Sequence, residues 1–135
     1  IREPQKTVTG GEIVIEEVGD RVVVGLPYTA VMAPLFIEPA IQGKQSEGMK
    51  KGSSTSRIRF QNTNYAKVGQ DESSLENINF RRIGDDLDAP VDLFSDYKKV
   101  RFDNTWAPLK TCYIESDAPL PITVISMISD MEVKN

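Results

Sequence analysis

The sequence predicts an all-β fold, a compact β-sandwich or partly closed barrel of about eight short, mainly antiparallel strands, and three observations carry that reading. Short runs rich in Val, Ile, Tyr and Phe recur along the chain, separated by clusters of Gly, Pro, Asn and Asp. Several of these runs alternate apolar and polar residues with period two, as in Arg57-Ile58-Arg59-Phe60. No stretch sustains the 3.6-residue apolar periodicity of an amphipathic helix.

Taken in order, residues 1–9 read as a linker or edge segment, and Thr9-Gly10-Gly11 as a turn. Glu12-Ile13-Val14-Ile15-Glu16 and Arg21-Val22-Val23-Val24-Gly25-Leu26 read as the two strands of a hairpin turning at Val18-Gly19-Asp20. Pro27 ends it, because its fixed φ and missing N–H stop a ladder. Residues 29–37 are apolar and extended, with a kink at Pro34. Residues 42–54 carry Gly43, Gly48, Gly52, Lys44, Lys50 and Lys51 and read as a mobile surface loop.

Ser56 to Gln61 is a half-buried strand, with Ile58 and Phe60 on one face and Arg57 and Arg59 on the other. Asn62-Thr63-Asn64 is a turn, and the polar stretch 68–77 has room for one short helical turn. Ile78 to Arg81 and Tyr97 to Phe102 are strands flanking an acidic loop, 84–96. Asp103 to Trp106 is a turn, and Lys110 to Ser116 and Ile122 to Ser129 are the last two strands. In the latter, Ile122, Val124 and Ile128 share one face while Ile125 and Met127 share the other. A strand apolar on both faces is either central in a sandwich or covered on its second face by another domain or subunit.

A length of 135 residues fits one domain. No apolar run approaches the ~20 residues of a membrane-spanning helix. The polar start, Ile1-Arg2-Glu3-Pro4, does not read as a secretory signal, and the missing initiator Met suggests an excised or processed chain. The net charge of -4 argues against a dedicated nucleic-acid binder, which needs a cationic surface to displace phosphate counterions, and leaves room for a local basic patch. Histidine is absent, so Ser–His and Cys–His nucleophile pairs and HExxH zinc sites are excluded. The single Cys112 closes no internal disulfide and is expected to be a small buried packing residue.

The remaining candidates for chemistry read as surface. Asp85-Asp86-Leu87-Asp88-Ala89-Pro90-Val91-Asp92 invites a calcium site, but lacks the EF-hand glycine and glutamate and is stiffened by Pro90, so a solvated acidic loop is expected. A carboxylate pair for glycoside hydrolysis wants an aromatic-rich cleft, and Trp106 is the sole tryptophan. Lys44, Lys50 and Lys51 with Arg57 and Arg59 are candidates for phosphate contact, yet no aromatics interleave them. They read as a charged loop and an exposed strand face, with protein contact as the other role. No catalytic, cofactor-binding or metal-ligating residue is assigned.

Two strings stand apart: Val24-Gly25-Leu26-Pro27-Tyr28-Thr29, and Asp117-Ala118-Pro119-Leu120-Pro121-Ile122. Each couples an apolar run to a proline-fixed bend. Thr7-Val8-Thr9-Gly10-Gly11-Glu12-Ile13 leads into the first, and Arg57-Ile58-Arg59-Phe60 follows a glycine- and lysine-containing loop. In this order, from about Thr7 to Met131, the chain resembles the C-terminal portion of the tail nozzle proteins of short-tailed bacteriophages, also called tail tubular protein B, and the related phage stabilisation proteins. One departure is a basic run diluted to Lys44, Lys50 and Lys51 with Glu47 between, which puts any assembly role of that run in doubt.

The resemblance implies a non-enzymatic virion protein of the tail, the end of a longer subunit. It implies a hexameric ring of copies that abuts adaptor and fibre proteins, conducts DNA during ejection, and has neither cofactor nor membrane span. Gly25, Leu26, Pro27, Tyr28, Pro119, Leu120 and Pro121 are then structural or interface residues, with Tyr28 either in the core or at an interface. A competing expectation is a host-surface carbohydrate or receptor-binding module built from Trp106, Tyr97 and the loop 85–96.

Overall fold

The alternation around Ile58 organises one sheet of the protein. The computed structural model describes residues 3–19, 21–26, 28–36, 38–39, 46–86, 89–102, 106–107 and 111–134, and among these it contains seven strands and no helix. The strands are β1 (Ala30–Met32), β2 (Lys50–Phe60), β3 (Lys67–Gly69), β4 (Glu76–Asn77), β5 (Tyr97–Arg101), β6 (Tyr113–Ser116) and β7 (Val124–Lys134). They form two antiparallel sheets, ordered β1-β6-β3-β4 and β5-β2-β7. The fold is all-β.

β2 is paired on both sides: Thr55 to Arg59 with Arg101 to Tyr97 of β5, and Lys50 to Phe60 with Lys134 to Val124 of β7. Its inner row ends in Ile58 and Phe60, both fully buried. From the other sheet, Val68 and Ile114 face each other across β3 and β6 and complete the core from that side. Ala66, Phe80, Phe94 and Cys112 fill the space between. Phe80 meets Phe60 edge-on at 5.2 Å between ring centroids and tilts against Phe94 at 5.6 Å. Each buried phenylalanine contributes roughly 1.5–3 kcal/mol from burial alone.

Towards its start the inner row of β2 becomes polar. Ser56 Oγ lies 2.6 Å from Ser129 Oγ across the β2–β7 pair, and Gln70 Nε2 donates to the Ser53 carbonyl at 2.9 Å. The sandwich is therefore apolar at one end of β2 and hydrogen-bonded at the other.

Several expectations are revised. Residues 50–54 belong to β2, not to a surface loop, and Lys51 to Ser53 are buried; residues 42–45 lie outside the described residues. No strand forms within 12–26, because neither half of the expected hairpin finds a ladder partner (Asp20 and Pro27 lie outside the described residues). Of the described residues 29–36, only β1 is a strand, and Ile37 lies outside the described residues. The stretch 68–77 makes two short strands around a turn rather than a helical turn. Ile78 to Arg81 is not a strand, although the in–out alternation survives: Ile78 is half-buried and Phe80 buried.

β7 departs most instructively. It runs to Lys134 and lies at a sheet edge, not at the centre. Arg59 pairs with Ser126 but Phe60 with Val124, so Ile125 is an extra residue in the ladder. That bulge turns Val124 and Met127 both toward the core and leaves Ile125 and Ile128 about half exposed, at 50% and 54%.

Phe80 is the hub of the aromatic contacts. Replacing Phe80 by Ala should cost about 3–5 kcal/mol. Urea unfolding followed by fluorescence measures it, and a loss below about 1 kcal/mol would place the core's centre elsewhere.

Candidate functional site

Residues 3–29 precede the first strand as an arm closed on itself. Thr9 and Glu12 exchange two backbone hydrogen bonds of 3.1 Å across Gly10 and Gly11, whose φ angles of +64° and +87° need glycine. Farther along, one Glu3 oxygen accepts the N–H groups of Glu16 and Glu17, each at 2.9 Å, and Lys6 pairs with both Glu16 and Glu3. The Glu17 N–H, ahead of the other donors, holds the Glu3 carboxyl below its ordinary range, and Glu16 holds the Lys6 ammonium above its own. The amides of residues 16 and 17 are thus spent on a carboxylate. The apolar side chains of the arm stay in water: Val14 is 79% exposed and Leu26 88%.

The two proline-bearing strings meet. A Cβ built on Gly25 would stand 2.8 Å from Pro119 Cβ, so the approach requires glycine. Leu26 and Tyr28 are exposed, which takes Tyr28 out of the core, while Pro27 lies outside the described residues. At the second string, the Leu120 N–H donates to the Ala118 carbonyl at 2.7 Å, closing a tight turn around Pro119. Leu120 is half-buried and Pro121 exposed. The bend is anchored at Asp117, which accepts from Lys67 Nζ at 2.9 Å and from the Tyr65 hydroxyl at 2.7 Å. Lys67 also reaches Glu115 at 3.3 Å, and its ammonium is held above the usual lysine range, chiefly by Asp117.

No protein-family model and no curated protein sequence matches this chain.

The exposed face of the β5-β2-β7 sheet is laid out by its register. One row runs Tyr97, Arg59, Ser126; the next Lys99, Arg57, Ile128; the third Arg101, Thr55, Asp130. Four cations thus occupy adjoining positions, and the Arg59 guanidinium lies 5.6 Å from the Tyr97 ring centroid. Among the described residues no carboxylate forms an ion pair with Arg57, Arg59, Lys99 or Arg101. Arg57 and Arg59 were expected on one exposed face; Lys99 and Arg101 join them because β5 pairs beside β2. The period-two spacing of Tyr97, Lys99 and Arg101 was the signal for the second column.

Lys51, by contrast, is buried, with its ammonium 2.8 Å from Glu38 Oε1. Ser46 Oγ donates to the other Glu38 oxygen at 2.9 Å. Lys51, then Ser46, hold the Glu38 carboxyl below its ordinary range.

The acidic loop folds around its own arginine. Arg81 donates to the Asp86 carbonyl at 2.7 Å and the Ala89 carbonyl at 3.0 Å. A shallow depression of about 440 Å³ beside it is lined by Phe80, Arg82, Asp85, Asp92, Leu93 and Phe94. Leu87 and Asp88 lie outside the described residues, and among the described ones no three His, Cys, Asp or Glu side chains converge to hold a metal. Trp106 sits by Lys134, which pairs with Lys50, whereas Tyr97 pairs with Arg59. These are opposite ends of β2, on the order of 30 Å apart at strand rise, so the two aromatics do not share one binding site. Cys112 is buried, and burial pushes its thiol up to about 12 against a small opposing effect of Ser56, leaving it protonated and unreactive.

Two consequences are measurable. Gly25→Ala forces Pro119 or the arm to move and should lower stability by about 1 kcal/mol. In a double-mutant cycle with Pro119→Gly that cost should shrink; equal costs in both backgrounds would deny the contact.

The second concerns acid. Because Glu38 is held low, its ion pair contributes stability above the ordinary carboxylate value, and this is lost as pH falls through the lowered one. Lys51→Met puts an apolar chain in the buried slot and leaves Glu38 in solvent, so neutral-pH stability should change little. The decline in thermal midpoint below about pH 4.3 should become shallower than in the parent chain. Parallel declines would mean that the pair carries none of the acid sensitivity.

Proposed function

We propose that this chain is a structural building block of a short phage tail, part of a nozzle-like ring that supports tail assembly and DNA passage and performs no chemistry. The carrying observation is where the apolar surface lies. Among the described residues, fourteen of the twenty exposed large hydrophobics fall between Val8 and Phe36, a concentration that marks an interaction segment rather than scattered surface residues. A domain that holds such a segment open is suited to burial against neighbours.

Three further features support the reading. The strings on which the family resemblance rests are brought together at Gly25 and Pro119. The tight turn around Pro119 sets the direction of the loop before β7, which is a task of shape. The net charge of -4 disfavours a tight grip on passing DNA. In this reading the partners are further copies of the chain, in a ring of six, with adaptor and fibre proteins at its rims. The location is the virion tail.

Gold-labelled antibody against this chain, applied to intact purified phage particles, should decorate the distal end of the tail in electron micrographs. Absence of the protein from such particles, by mass spectrometry of the same preparation, would falsify the proposal.

A further inference from the structure

Two open surfaces of this chain complement each other. The outer face of the three-stranded sheet places Arg57 directly opposite Lys99, with Arg59 and Arg101 in the neighbouring rows. Like charges directly opposite on one sheet face repel, and among the described residues no carboxylate forms an ion pair with any of the four. Within the face Ile128 is 54% exposed, beside Arg57, with Ile125 exposed at the bulge. A ligand for this face should therefore bring both negative charge and apolar side chains.

The arm offers that combination. Residues 3–26 hold five carboxylates (Glu3, Glu12, Glu16, Glu17 and Asp20) against two cations, Lys6 and Arg21. Glu3 and Glu16 are engaged with Lys6, but Glu12 and Glu17 have no ion pair among the described residues. Around them Ile13, Val14, Ile15 and Val18 are exposed. The arm and the face are both uncovered on the same copy, so the contact they can make is between copies.

We propose that the arm of one copy docks on the cationic face of the β5-β2-β7 sheet of the next, Glu12 and Glu17 meeting Arg57 and Lys99, and the arm's apolar residues covering Ile125 and Ile128. The two surfaces differ, so the contact is heterologous, head to tail, the type that closes into rings or runs into filaments. This deepens the ring reading proposed above and rests on it for the meaning of the closed assembly. Nucleic acid fits the face less well. Ile128 and Asp130 interrupt any phosphate track, the face has one aromatic residue, Tyr97, already faced by Arg59, and the whole chain repels polyanions.

Sedimentation velocity on the purified chain tests this at about 50 mM and about 500 mM salt, conditions that weakly and strongly screen exposed charges. The parent chain should self-associate with increasing concentration, and more weakly at the higher salt. The double substitutions Arg57→Glu/Lys99→Glu and Glu12→Lys/Glu17→Lys should each weaken association about tenfold or more. A chain carrying all four substitutions should recover it, because the charges are exchanged rather than removed. That recovery also shows that the variants still fold.

A parent chain that stays monomeric at low salt overturns the proposal. So does association that survives both double substitutions, or a fourfold variant that does not recover. Binding of a fluorescent single-stranded oligonucleotide that is lost with the face substitutions, while self-association is not, assigns the face to nucleic acid instead. Each of these failures leaves the tail reading to be decided by labelling of particles, so the two are separable.

Discussion

The pairing of β2 on both sides is the constraint on which the rest of the structure depends. Lys50–Phe60 pair along their length with β7, and Thr55 to Arg59 pair with β5 as well, so the backbone of that central stretch is held within the sheet on both sides. Once both neighbours are in register, alternation assigns every side chain. Ile58 and Phe60 go inward to meet Val68 and Ile114 of the other sheet, and Arg57 and Arg59 go outward to meet Lys99 and Tyr97. A slip of one residue would send both arginines into the phenylalanine cluster. The core and the cationic face are therefore two consequences of one register, and neither can be rebuilt without the other. Irregularities are accommodated locally: at the break between Ser53 and Thr55, the Ser54 carbonyl accepts from the Phe102 N–H at 2.9 Å.

That core is small and lopsided. At one end three phenylalanines pack, and the Lys98 ammonium stands 4.6 Å from the Phe94 ring centroid, closing the cluster with a cation–π contact. At the other end serines and a buried lysine replace apolar residues, and the Ser56–Ser129 and Lys51–Glu38 contacts add polar links without much hydrophobic stabilisation, while the buried Ser53 hydroxyl has no partner among the described residues. Apolar residues that a larger core would have absorbed are instead spread along the arm. Among the described residues a sizeable share of the large hydrophobic side chains is therefore left exposed.

How legible this was follows the range of the interactions. The strand around Ile58, the glycine turn at Thr9 to Glu12, the strand from Tyr97 and the buried Cys112 depend on residues adjacent in sequence, and all were readable. The expected hairpin 12–26 failed because strand propensity needs a partner, and the Glu16 and Glu17 amides are taken by the Glu3 carboxylate. Glycine and lysine content disguised the first half of β2, since the carboxylate that neutralises Lys51 comes from Glu38, thirteen residues earlier. The two faces of β7 were misassigned because a bulge at Ile125 leaves no mark on the apolar pattern. Half of the cationic face was visible as Arg57 and Arg59; the other half waited on which strand lies beside β2.

Net charge is a poor guide to what a surface can hold. The total of -4 argues against a polyanion partner, and yet it averages an arm rich in carboxylates with a sheet face rich in cations. Two regions of opposite sign on one chain act at short range, where the local field and not the sum decides the encounter. A net negative total is thus compatible with a local cationic surface able to accept carboxylates. In the ring proposed above the two are compatible, since cations engaged with a neighbouring copy would be withdrawn from the DNA path.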